Sequence, residues 1–204
     1  MKSIRCALLA VCLTILQSAH GQAPEAGRLL VSTDSIDDRN FARTVMLILV
    51  HDNGSSAALF LNRPTWIDPV EAFPDIEELE SYTDSLYLGG PVGPDQLLIL
   101  FEHDGVPPVG ARNLFGNVYF SATTDILETI DAGAADAPRV RVYAGHAQWA
   151  ADQLTREVAA GNWRVIPAAF ADVFTDEPTE LWGRLRADRD DVTAALADYS
   201  FSIE

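Results

Sequence analysis

Residues 44–54 read TVMLILVHDNG, and this stretch limits the possible folds more than any other. Thr44 to Val50 is a near-continuous apolar run rich in branched side chains. An unbroken run of this kind, without polar alternation, is the pattern of a strand buried on both faces. Asp52-Asn53-Gly54 is a strong turn signal, and Ala57 to Leu61 is apolar again. Residues 44–61 therefore predict a β-hairpin.

The other segments fit around it. Arg28 to Ser32 predicts a first strand, and Leu86 to Leu88, Gln96 to Phe101 and Asn117 to Ser121 predict three more. Pro138 to Ala144 (PRVRVYA) alternates cleanly and reads as a half-exposed strand, and Trp163 to Ile166 reads as another. Helices are predicted near Ile76–Glu80, over Thr124–Asp131 (with Asp125 and Glu128 spaced as a capping pair), and over Trp149–Ala160, where Gly161 is a good stop. Two last helices are predicted over Glu180–Arg186 and Asp191–Tyr199. Gly89-Gly90-Pro91-Val92-Gly93-Pro94 reads as irregular chain. TVMLILVHDNG and QLLILFEHDG (96–105) both end in His-Asp before Gly, and read as two buried strands with similar exits rather than a duplication. Strands interleaved with helices over 204 residues give an α/β (α+β) class: a single compact domain with a mixed β-sheet and flanking helices.

The chain begins as a secretory leader does. Lys2 and Arg5 give a positive start, Cys6 to Leu16 is an uncharged stretch of 11 residues, and Ala19-His20-Gly21 places small residues where a signal peptidase reads them. Eleven residues are too few for a helix across a bilayer, which needs about 20. The expected division is a signal peptide over 1–21 and one domain over 22–204, periplasmic or secreted, with no membrane association after leader removal. Both cysteines and the one lysine fall in the leader. The mature chain then holds 12 Arg against 30 acids, a net charge of -18. Disulfides, thiolate nucleophiles and Cys metal sites are excluded from it. Nucleic-acid binding is disfavoured, because it depends on basic side chains that neutralise phosphate.

No catalytic centre is spelled out. His51-Asp52 and His103-Asp104 have the imidazole and carboxylate donors of a metal site, which would serve a metal-assisted hydrolase. The same residues at strand exits also fit plain turn chemistry. Ser55-Ser56 near His51 is a faint nucleophile–base signal, and there is no Gly-x-Ser-x-Gly elbow. Gly89-Gly90-Pro91 lacks the spacing of a phosphate loop. Asp75, Glu77, Glu78 and Glu80 read as a solvated helix face. The unusual residues are Asn62-Arg63-Pro64 and Gly89-Gly90-Pro91 at strand exits, and Trp149, Gln153 and Glu157, spaced as one stripe of the helix over Trp149–Ala160.

These segments resemble the YqgE/AlgH family of bacterial proteins. The resemblance rests on GRLLVS (27–32), Phe41-Ala42-Arg43-Thr44-Val45, His51, Leu61-Asn62-Arg63-Pro64 and Leu88-Gly89-Gly90-Pro91-Val92. It continues through Gly145-His146-Ala147-Gln148-Trp149 with Gln153-Leu154 and Glu157, then Gly161-Asn162-Trp163 and Leu181-Trp182. His146 stands where the family usually has Tyr, and Gln148 where a second Gly is usual. The resemblance implies a compact fold with mixed sheets, no established enzymatic activity, and a regulatory role in some members. It supplies no catalytic residue, no metal ligand and no cofactor. Members generally lack an export signal, so a cytoplasmic, transcription-linked regulator is the alternative if the start codon is misassigned. The expected function is a non-catalytic binding or regulatory domain for a protein partner or small ligand. The expected surface joins Asn62, Arg63, Gly89, Gly90, Pro91, Trp149, Gln153 and Glu157. In it Arg63 meets Glu157 or a ligand carboxylate, and the glycines let a partner approach the backbone.

Overall fold

The computed structural model describes residues 22–52, 55–129 and 139–187. The expected leader, the helix over Asp191–Tyr199, the tip of the turn at 53–54 and the end of the helix over Thr124–Asp131 lie outside the described residues.

Nine strands form one curled sheet: β1 (Arg28–Ser32), β2 (Val45–His51), β3 (Ser55–Phe60), β4 (Tyr87–Leu88), β5 (Val92–Glu102), β6 (Arg112–Phe115), β7 (Val118–Ser121), β8 (Val140–Ala150) and β9 (Trp163–Pro167). Their order is β6-β7-β5-β8-β3-β2-β1-β9, with β4 paired to β8. The β4·β8 pair is parallel and makes the sheet mixed; the others are antiparallel. Short helices flank the sheet: α1 (Pro69–Ala72), α2 (Ile126–Thr129), α3 (Gln153–Ala159), α4 (Phe170–Val173) and α5 over 181–187. A 3-10 turn over Glu77–Ser81 takes the place of the helix expected near Ile76–Glu80.

The central hairpin behaves as its composition requires. Alternate residues of β2 enter opposite cores. Val45, Leu47 and Leu49 join Leu29, Leu59, Leu98 and Leu181 on one face. Met46 and Ile48 join Leu30, Phe60, Trp149 and Trp163 on the other. A third cluster, built around Ile99, Phe101, Leu79 and Val142, covers the outer side of β5 and β8. Burial on both faces is what keeps an uninterrupted apolar run of this kind away from water.

Strand β8 links the two halves of the sheet. Its first half pairs with β5 through Leu97↔Ala144 to Phe101↔Val140. Its second half pairs with β3 through Ala58↔Ala147 to Ser55↔Ala150. The change of partner falls at Gly145, whose φ of +68° is open to glycine and strained for other residues.

Three expectations differ from the structure here. Pro138–Ala144 was expected to be half-exposed, but Val140, Arg141, Val142 and Tyr143 are all buried, because α4, the residues that follow it and α5 cover the side that alternation assigns to solvent. Trp149 was expected to start a helix, but β8 runs to Ala150 and α3 begins at Gln153. Pairing of Trp149 with Ser56 on β3 outweighs the helix preference of the Ala-rich segment. Val92-Gly93-Pro94 was expected to be irregular, but it opens β5; the irregularity survives as a register break between Val92 and Leu97.

Candidate ligand-binding site

The motif residues divide into three structural devices and one surface. The first device is a clasp between two chain segments. Buried Asn62 follows β3, and its Oδ1 accepts from the Val45 amide at 3.0 Å while its Nδ2 donates to the Arg43 carbonyl at 2.9 Å. Arg63 extends the clasp, with Nη2 donating to the Ala42 carbonyl and to Thr44 Oγ1, each at 2.9 Å. Phe41-Ala42-Arg43-Thr44-Val45 and Leu61-Asn62-Arg63-Pro64 are thus the two halves of one hydrogen-bonded unit. Burial lowers the pKa of the Arg63 guanidinium below the usual arginine value.

The second device is a backbone crossing. The Gly89 amide donates to the Ala144 carbonyl at 2.8 Å, and the Gly89 carbonyl accepts from Phe60 at 3.0 Å. A Cβ on Gly89 would lie 2.1 Å from the Gly145 carbonyl oxygen, and one on Gly90 would lie 2.2 Å from the His146 carbonyl carbon. The close partner of these glycines is therefore the chain's own β8. They do not offer an exposed backbone to an outside molecule.

The third device is a carboxylate bridge under α3. Glu157 Oε2 accepts from Trp149 Nε1 at 3.0 Å and from Trp163 Nε1 at 2.8 Å. Its Oε1 accepts from Gln153 Nε2 at 2.9 Å. Trp149, Gln153 and Glu157 do meet, although Trp149 comes from β8 and not from the helix. Glu157 does not pair with Arg63, because its oxygens are occupied by two indoles and an amide.

Arg63 and Pro91 are the expected residues that reach a surface concavity. They line a cavity of about 270 Å³ with Arg39, Asn40, Phe60 and Leu88. Leu88 is 42% exposed. β4 places Leu88 toward this cavity and Tyr87 toward a larger one of about 620 Å³, which sequence reasoning missed. The larger cavity is walled by Tyr82, Tyr87, Arg141 and Phe174, with Trp66, Asp84, Arg139 and Asp176 around it. The available signal was Arg141, an arginine on the same strand face as Tyr143 in the alternating segment PRVRVYA.

The His-Asp pairs stay apart in their bonding. His51 Nδ1 lies 2.7 Å from Ser56 Oγ across the hairpin, while His103 Nε2 lies 2.9 Å from the Val106 carbonyl. Among the described residues no group of three His, Asp or Glu side chains is arranged to hold a metal ion. The same residues contain no helix long and apolar enough to cross a membrane.

Comparison with known proteins places this architecture. The family model described as AlgH-like matches residues 29–189. A UPF0301 protein of Streptomyces coelicolor is 34% identical over 179 residues, covering 85% of this chain and 91% of its own. A UPF0301 protein of Thermobifida fusca is 36% identical over 170 residues, covering 78% and 84%. Among solved structures, a Corynebacterium diphtheriae protein superposes with a TM-score of 0.69 at 26% identity, over 81% of this chain and 87% of that one. The AlgH protein of Pseudomonas aeruginosa superposes with a TM-score of 0.64 at 27% identity, over 82% and 89%. The clasp, the glycine crossing and the carboxylate bridge are thus set in a chain that belongs to the AlgH-like, or YqgE/AlgH, family.

Proposed function

We propose that this chain is an exported, non-catalytic binding domain that takes a protein partner or small ligand in the cavity beside Arg63. The observation that carries the reading is the state of Arg63. Its guanidinium is half-buried, oriented by Ala42 and Thr44, and joined to no carboxylate among the described residues. It lies beside a second cation, Arg39, and an exposed apolar side chain, Leu88. A planar donor next to an apolar contact suits a partner carboxylate flanked by a hydrophobic group. Two cations stand out locally in a chain whose net charge is -16.

Arg63→Ala tests the site. Loss of the clasp bonds should lower stability by only about 1 kcal/mol in a urea melt. Loss of a partner contact should weaken capture from a periplasmic extract about tenfold, compared with the parent protein by quantitative mass spectrometry. Equal capture by parent and variant would leave Asn62-Arg63-Pro64 as a clasp alone.

Export is tested separately, and its support is the charged start, the 11-residue apolar stretch and Ala19-His20-Gly21. The native protein should begin at Gln22 on N-terminal sequencing and fractionate outside the cytoplasm. Intact Met1 in the cytoplasmic fraction would reject it.

A further inference from the structure

We propose that the larger cavity is a separate binding site for a small aromatic carboxylate. Its volume of about 620 Å³ lies inside the range of roughly 300–1,000 Å³ typical of small-molecule sites. The cation in its wall is Arg141, only 7% exposed. Two of its five N–H donors are fixed: Nη1 donates to the Val173 carbonyl at 2.6 Å and Nη2 to the Thr175 carbonyl. Its guanidinium carbon lies 4.8 Å from the Tyr87 ring centroid and 5.8 Å from that of Phe174. No carboxylate pairs with it among the described residues. A buried charge is ordinarily matched by an opposite one, and here carbonyls and ring faces supply only part of that match. A ligand anion would complete it.

The surroundings select the rest of the ligand. Tyr82, Tyr87 and Phe174 give aromatic walls, and Trp66, also lining the cavity, is 100% exposed. A ring lying against Trp66 would remove apolar surface from water on both partners. The acids Asp84 and Asp176 also line the cavity. Asp176 is held by Arg139 at 2.8 Å, a pair that leaves Arg139 little charge to offer an incoming anion. These acids oppose a dianion such as a phosphate monoester more strongly than a singly charged carboxylate.

Calorimetric titration of the purified protein with 3-phenylpropanoate, 3-phenylpropan-1-ol and phenyl phosphate tests this. The carboxylate should bind about tenfold more tightly than the alcohol, through its charge-assisted bond to Arg141, and more tightly than phenyl phosphate. Trp66→Ala should weaken carboxylate binding about fivefold with no change in the urea midpoint. Asp176→Asn should remove a repelling charge, release Arg139 and tighten phenyl phosphate about fivefold. Arg141→Met should abolish the preference for acid over alcohol. If that variant does not fold, Trp66→Ala and Asp176→Asn decide the matter, since both residues are exposed. Equal affinity for acid and alcohol, no binding of the acid at about 10 mM, or Trp66→Ala binding like the parent would each overturn the proposal.

Discussion

Gly90→Ala is expected to destabilise the domain by on the order of 3 kcal/mol or more, which is at the upper end for overpacking. The added Cβ would sit 2.2 Å from the His146 carbonyl carbon, 2.3 Å from the Ala147 nitrogen and 2.4 Å from the His146 oxygen. All three are backbone atoms of β8, so no rotamer change can relieve the overlap. Either β4 lifts away from β8 or the strand bends. The first response breaks the Gly89–Ala144 bond, and the second disturbs the site where β8 changes partner. Because a domain of this kind is stable by only about 5–15 kcal/mol, a large part of the margin would go. A urea melt measures it. Gly183→Ala is the internal comparison: its Cβ meets nothing within 4 Å and the residue lies within α5. That variant should be neutral or stabilised by up to about 1 kcal/mol through helix propensity. If both variants melted alike, the crossing would not be the constraint described.

Glu157→Ala should rank with it, at about 3 kcal/mol, because it leaves buried donors without acceptors at roughly 1–3 kcal/mol each. Trp149 and Trp163 are both buried, and their indole nitrogens share Glu157 Oε2. Their rings meet edge to face at 6.2 Å, so loss of the carboxylate also frees the orientation of a packed aromatic pair. Glu157→Gln keeps an oxygen that can accept from both indoles, and should cost about 1 kcal/mol through loss of the charge-assisted component. A melt of the two variants against the parent, followed by tryptophan fluorescence, separates these outcomes. If Glu157→Ala matched Glu157→Gln, the carboxylate would be a bystander at the helix edge.

These two effects show how the motif residues relate to function. Asn62, Gly89 and Gly90 stand out in the sequence because they are residues a regular strand has little reason to use, and Gln153 and Glu157 because they share a helical spacing with Trp149. They earn those positions through internal geometry: a two-ended amide clasp, a contact too close for a Cβ, and a buried acceptor for two indoles. Unusual residue type was therefore a sound guide to constraint and a poor guide to ligand contact. Of the expected set, Arg63 and Pro91 line the cavity beside Leu88. The larger cavity was overlooked because Arg141 lies in a cleanly alternating strand, where an arginine reads as a solvent-facing residue.

The sequence by itself determined the family, the two-sided burial of β2 and the place of eight of the nine strands, in whole or in part; β6 (Arg112–Phe115) was not among them. Periodicity and turn chemistry are local, and seven branched or apolar residues in a row leave no face for water. It also carried the family motifs in order, since identity needs no coordinates. Only the tertiary structure decided that Trp149 belongs to β8, that Arg141 is buried and that Glu157 bridges two indoles instead of meeting Arg63. Each of those outcomes depends on which distant segment covers a given side chain. The competing local preferences amount to less than about 1 kcal/mol per residue, and cross-strand pairing and burial override them.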